Sequence, residues 1–189
     1  MNDTLYLFVG KSASGKTTVA NFLEQKHGLK QVQSYTTRPP RYEGEIGHLF
    51  VNDEQFDNLG KLVAYTEYNS FRYGTTAEQL DQCQIYVVDP YGVKTLLERY
   101  NTDRKIVILY FSVGICTRIH RMIDRGDSDM TIISRLLQDE KADWHDQLND
   151  VLWHNRVYNG GNVHLFNIYA DDDLANVVSR VEHCMGVSA

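Results

Sequence analysis

The chain has 189 residues and a formal net charge of −6, enough length for one domain with a full hydrophobic core. The acidic balance argues against a general nucleic-acid binder, which needs a basic face, and the longest apolar run, 106–111, is far too short to span a bilayer. Cys83, Cys116 and Cys184 are widely spaced without metal-ligand spacing, and the first strand-like run begins almost at the N-terminus, so a reduced, cytoplasmic protein without a signal peptide is expected.

Residues 5–9, Leu-Tyr-Leu-Phe-Val, make a short apolar run suited to a buried parallel strand. Gly10 to Thr17 follow as G-K-S-A-S-G-K-T, which fits the phosphate-binding loop G-x4-G-K-[ST] at every fixed position, and 17–26 reads as the helix that should come next. In such a loop the backbone of Ser12, Ala13, Ser14, Gly15 and the following Thr18 turn curls around phosphate oxygens, and the helix N-terminus adds partial positive charge. Lys16 would bridge the β- and γ-phosphates of ATP, and the Thr17 hydroxyl would hold Mg²⁺. Further strand-like runs at 30–34, 85–88, 106–111 and 163–167 alternate with helical stretches at 93–100, 115–124, 131–147 and 174–184. That rhythm predicts an α/β fold of three layers, a parallel sheet with helices on both faces. Asp89 directly follows 85–88, which puts it at a strand's C-terminal end, where open α/β sheets bind ligands.

Two stretches break the rhythm. Between 35 and 76, Pro39-Pro40, several glycines and short alternating pieces at 48–51 and 62–68 predict a small antiparallel insert, with Asn52 capping a short helix through Leu59. The stretch 149–162, with Trp153, His154, Tyr158 and Gly160-Gly161, reads as an irregular link to the last strand.

Arg38 and Arg41 stand three apart, stiffened by two prolines, as a preset fork for a phosphate dianion. Pro39 also restricts Arg38 to extended geometry. Arg118, Arg121 and Arg125 recur at helical spacing and read either as phosphate ligands or as an exposed basic helix face.

The set S-x-T-T-R-x-P-R from Ser34, then G-x-x-x-F-V, Tyr73-Gly74-Thr75, Asp89-x-x-Gly92 and Arg125-Gly126 resembles guanylate kinases over roughly 5–185. The resemblance implies a cytosolic P-loop NTPase-type fold and transfer of the γ-phosphoryl of ATP to GMP with Mg²⁺. It implies a core (1–34, 77–116 and 136–189), a nucleoside-monophosphate-binding insert at about 35–76 and a helical lid at about 117–135. Arg38, Arg41 and Tyr73 would then hold the acceptor phosphate, Ser34 and Thr75 the guanine edge, and Asp89 would sit near base and metal. Arg121, Arg125 and Arg135 would close on the moving phosphoryl, and Asn167 would lie near adenine. Nucleotides would be the partners, without nucleic acid or membrane, for a monomer or homodimer. Three features depart from the family, the first being a loop from Arg41 to Phe50 about two residues shorter than the family's usual form. His48 replaces a phosphate-binding tyrosine, and a cationic or donating imidazole could serve there. Counting back from Tyr73 without gaps, the family's guanine-reading glutamate falls on Ala64, while Glu67 keeps side with Tyr65 in strand alternation. GMP or dGMP is therefore the first acceptor, and another nucleoside monophosphate or a sugar phosphate stays open. A non-catalytic interaction module is a further alternative, disfavoured by the intact Lys16-Thr17.

Overall fold

The computed structural model describes residues 4–141, 144–158 and 163–187. Strand β1 (Thr4–Val9) leads through the phosphate-binding loop into helix α1 (Lys16–His27). Every residue from Leu5 to Val9 is buried, because both faces of its sheet are covered. The rest of the core is β6 (Ile85–Val87), α4 (Pro90–Arg99), β7 (Lys105–Ser112), α5 (Ile115–Asp124), α6 (Asp129–Lys141), α7 (Trp144–Tyr158), β8 (Val163–Tyr169) and α8 (Leu174–Met185). The sheet runs β6-β1-β7-β8, all parallel. Tyr6, Phe8, Val107 and Leu109 pack on α1 and α8 through Val19, Leu23, Val177 and Val181. Leu5, Leu7, Ile106 and Ile108 pack on α4 and α7 through Val93, Leu96, Trp144 and Leu148. The three-layer α/β architecture is thus as expected. Among the described residues no helix is long and apolar enough to cross a membrane.

The insert holds β2 (Ser34–Thr36), β3 (His48–Phe50), α2 (Asp53–Asp57), β4 (Ala64–Tyr68), β5 (Phe71–Thr75) and α3 (Ala77–Asp81), with sheet order β3-β2-β5-β4. β2 and β3 are parallel and the other pairs antiparallel, so the sheet is mixed rather than antiparallel. The arginine-bearing connection 37–47 crosses over and returns the chain in the same direction. Asn52 caps α2 with Gln55 in a reciprocal capping box, as its spacing predicts. Asn69 and Ser70, both at positive φ (51° and 62°), make the two-residue hairpin turn that fixes the β4–β5 register.

Two expected elements differ. Residues 30–34 do not form a core strand: Gln31 makes one isolated bridge to Ile85. The buried residues there, Leu29 and Val32, are three apart and do not alternate. The predicted helix 131–147 is divided between α6 and α7, and the predicted irregular stretch is largely the rest of α7. Leu148 and Leu152, four apart, share the face of α7 that meets the core. Gly160-Gly161 lie outside the described residues.

Candidate active site

β1 delivers the chain to Gly10, where a side chain has no room: a Cβ would stand 2.7 Å from the Phe111 carbonyl oxygen. Ala13 (φ 60°) and Gly15 (φ 93°) then turn the loop left-handed onto α1. Lys16 folds back over it, its Nζ donating to the carbonyls of Gly10 (2.5 Å) and Lys11 (3.0 Å) and to Ser14 Oγ (3.1 Å). Burial pulls the ammonium pKa down to about 8. A buried ion pair lies beneath the loop. Asp139 of α6 accepts from Arg118 of α5 (2.5 Å) and from the Ser12 N–H (2.9 Å), and Arg118 Nε donates to the Ser12 carbonyl (2.9 Å). Arg118 is therefore neither a phosphate ligand nor part of an exposed basic face, and the Ser12 N–H is already committed to protein.

Ala13, Ser14, Gly15, Lys16, Thr17 and Thr18 line one side of a cavity of about 520 Å³. Arg121, Arg125, Ala170 and Asp172 are among the residues opposite. Arg121 reaches over the loop to the carbonyls of Ala13 (3.4 Å) and Ala170 (2.7 Å). Asn167 is not in this lining. It is exposed, and β8 runs on to Tyr169 before the chain reaches the cavity. Alternation along β8 turns Ile168 and Ala170 toward the α1/α8 layer and Asn167 away from it.

The acceptor fork is closed on a carboxylate of the chain itself. Glu45 accepts from Arg38 Nη1 (3.1 Å) and Nη2 (2.9 Å), from the Arg41 N–H (2.7 Å) and from Arg41 Nη1 (3.4 Å). Burial raises the Glu45 pKa, but the bonds from Arg38 and Arg41 outweigh it and hold the group below the usual range. Arg38 lies over the Phe50 ring, and its Nε is buried without a partner. A phosphate bound by this fork would have to displace Glu45, so Glu45→Gln is expected to lower the acceptor KM about fivefold and leave that of ATP unchanged, in line with one weakened charge-assisted bond. Steady-state kinetics on both substrates check this; a raised acceptor KM would mean that Glu45 orients the fork instead of competing for it.

His48 lies against Tyr73 (ring centroids 5.7 Å apart), and its Nδ1 is 3.0 Å from Ser34 Oγ. Burial, and then the positive charge of Arg38, depress its pKa to about 4, so the imidazole is neutral near pH 7 and not cationic. The folded pKa lies below the unfolded value of about 6.5, so the unfolded chain binds more protons between these values and stability falls as pH drops from about 6.5 to about 4. The loss expected is at most about 3 kcal/mol. Denaturant titrations at pH 7 and pH 5 should show that His48→Phe flattens this slope; equal slopes would remove His48 as its source.

Arg125 and Arg135 also share one carboxylate. Asp127 accepts from Arg125 Nε (3.0 Å) and Nη2 (2.5 Å) and lies 3.5 Å from Arg135 Nε. Burial, followed by the positive charges of Arg38, Arg135 and Arg125, lowers the pKa of Arg41, so the insert and lid arginines act on one another. Asp89 caps α4 by accepting from the Gly92 N–H (2.7 Å). Burial raises its pKa against opposition from that bond, Thr66 and Lys16. Arg41 thus feels Arg38, Arg125 and Arg135, and Lys16 feels Arg125, a chain of positive charge of the kind that neutralises a moving phosphoryl group. Sequence reasoning missed Glu45, Asp127 and Asp139. The first two carry a local signal, four residues after Arg41 and two after Arg125, whereas Asp139 meets Ser12 from 127 positions away.

The expected base contacts are sealed. Thr75 is fully buried and donates to Tyr86 Oη (3.0 Å), and Ser34 is buried beside His48. Ala64 pairs directly with Thr75, and its methyl group lies in the core. Glu67 faces the other side of the sheet and accepts a hydrogen bond from Tyr65 Oη.

No family model matches the chain. Among curated relatives, a guanylate kinase of Neisseria meningitidis serogroup A is 29% identical over 192 aligned positions, covering 95% of this chain and 85% of that protein. One from Nitrosomonas europaea is 28% identical over 145 positions, covering 70% and 71%. The crystal structure of guanylate kinase from Anaplasma phagocytophilum shares the fold with a TM-score of 0.54 at 16% identity, over 97% of this chain and 84% of that one.

Proposed function

We propose that this chain, a nucleoside monophosphate kinase of the guanylate kinase type, moves the γ-phosphoryl of ATP to GMP or dGMP. The observation that supports this reading is the pair of arginine clusters, Arg38 with Arg41 and Arg125 with Arg135, each held on an internal carboxylate and acting on the other, with Arg125 also acting on Lys16. A carboxylate clamped between guanidinium groups marks a place that a phosphate would take. In this reading residues of about 35–76 bind the acceptor and about 117–135 close as a lid.

The triphosphate would lie along the loop in the 520 Å³ cavity, with Lys16 released from its carbonyls to the β- and γ-phosphates. Arg38 and Arg41 would exchange Glu45 for the acceptor phosphate and aim its oxygen at the γ-phosphorus. Arg125 and Arg135 would exchange Asp127 for the equatorial oxygens, where charge develops in the transition state. Closing the lid would expel water that competes as acceptor. The exposed Thr17 hydroxyl and the Asp89 carboxylate, which interacts with Lys16, are hard oxygen donors that suit Mg²⁺. When bound, the ion would neutralise phosphate charge and orient the β- and γ-oxygens.

One observation favours a second reading, in which the acceptor carries another base. Ala64 cannot accept hydrogen bonds from guanine, and it is buried in the core opposite Thr75. ATP consumption with Mg²⁺ against GMP, dGMP, AMP, CMP, UMP, dTMP and ribose phosphates decides between them. Selective turnover of GMP or dGMP supports the first reading, selective turnover of another nucleotide supports the second, and no turnover of any of them overturns both.

A further inference from the structure

Strand β8 is the last in the core sheet, and among the described residues no strand pairs with its outer edge. Its hydrogen-bond phase is fixed at two points. The N–H of Ala170, just past the strand, donates to the Ser112 carbonyl of β7 (3.0 Å), whereas the Tyr169 carbonyl turns outward and accepts from Arg180 of α8 (2.7 Å). Along a strand, alternate residues direct both backbone groups to the same side. Phe166 and Ile168 therefore serve β7, and Leu165, Asn167 and Tyr169 offer their N–H and C=O groups to the free edge.

Sheet edges are normally blunted by charged side chains, proline, a bulge or shortness. The opposite edge follows that rule: β6 has three residues, and Gln31 bridges to it. β8 does not. It has seven residues, pairs with β7 without a bulge from Val163 to Tyr169, and carries no Lys, Arg, Asp, Glu or Pro. Phe166 (41% exposed) and Tyr169 (70% exposed) stand on its two opposite faces.

We propose that β8 is the interface of a twofold homodimer, in which it pairs antiparallel with β8 of a second copy and the two core sheets become one. The strand is its own complement. With the axis at Asn167, the outward groups of Asn167 bond those of the second copy's Asn167, and those of Leu165 bond those of Tyr169 on either side. The Tyr169 carbonyl has a second lone pair for this beside Arg180. Phe166 comes opposite Ile168 on one face and Tyr169 opposite Leu165 on the other, apolar pairs that stabilise a ladder. His164 meets Ala170, so no like charges are brought together. β8 leads directly into Ala170 and Asp172 of the 520 Å³ cavity, so the pairing also holds one wall of that cavity. The proposal is independent of the kinase reading.

Sedimentation equilibrium of the full chain over about 1–100 µM is expected to show a reversible dimer of twice the 21.8 kDa chain mass. Amide exchange followed by NMR locates it. The N–H groups of Leu165, Asn167 and Tyr169 should gain protection as concentration rises, while those of Phe166 and Ile168, bonded to β7, are protected throughout. Asn167→Pro removes an N–H that the monomer leaves to solvent, which an edge strand tolerates. It is expected to raise the dimer dissociation constant about 30-fold or more while the Tm moves by only a few degrees. If that variant does not fold, Phe166→Lys, at an exposed side chain, carries the test in the same direction. Three results overturn the proposal: a chain still monomeric at about 100 µM, which would leave the edge to a strand of another protein; a dimer that both variants leave intact; or edge amides whose exchange ignores concentration.

Discussion

Alanine in place of Lys16 is expected to lower kcat by roughly 10³-fold, with the acceptor KM held within about twofold. The ammonium already rests against the Gly10 and Lys11 carbonyls at the head of α1, so it needs only a short swing to reach phosphate oxygens. In the proposed roles Arg38 and Arg41, on the connection between β2 and β3, would serve the acceptor and would not replace Lys16 on the donor side. The pH dependence is distinctive. With burial holding the pKa at about 8, Lys16 is charged below that value and loses its proton as pH rises through it. ATP affinity of the wild type should therefore decline above about pH 8, and Lys16→Ala should lack that limb. Calorimetric titration with nucleotide from pH 6.5 to 9.5, alongside steady-state kinetics, measures both. Near-normal kcat in the alanine variant would remove Lys16 from the chemistry.

The donor side was legible because its information is local. An apolar run, a glycine-rich motif and a helix follow one another within 5–27, and the fold realises them with α1 lengthened by one residue at each end. The capping of α2 and the side-chain alternation of β4 were legible for the same reason: Asn52 and Gln55 are three apart, and Ala64 and Glu67 fall on opposite faces without a register shift. What escaped lies in long-range partnerships. Residues 30–34 look like a strand by composition, yet a strand needs a neighbour along its whole length, and Ile85 supplies one bridge only. Asn167, which the resemblance puts near adenine, stands within a strand that runs two residues further than its sequence pattern indicates. His48 could be taken as a cation until its burial beside Arg38 was visible. The burial of Thr75 was hidden for a related reason, since no local pattern tells that it donates to Tyr86, eleven residues on.

Asp139→Ala is expected to cost about 3–5 kcal/mol of stability, because it leaves Arg118 charged and unpaired in the interior. For a chain of this size that is a fall in Tm of roughly 10 °C. The pair also has a second role, which a stability measurement alone would miss. Asp139 and Arg118 grip the Ser12 N–H and carbonyl, so the phosphate-binding loop is held by α5 and α6, the helices that bear Arg121 and Arg135. Exchanging both partners for apolar residues of similar bulk, Arg118→Met with Asp139→Leu, removes the buried charges together and should restore most of the stability. It cannot restore the grip on Ser12. The double variant is therefore expected to melt near the wild type while binding ATP about tenfold more weakly, with Ser12 released and the loop no longer preset. Thermal melts of both variants, with nucleotide binding measured on the double variant, separate the two roles. An unchanged Tm in Asp139→Ala would deny the pair its place in the core, and wild-type ATP affinity in the double variant would deny it the positioning of the loop.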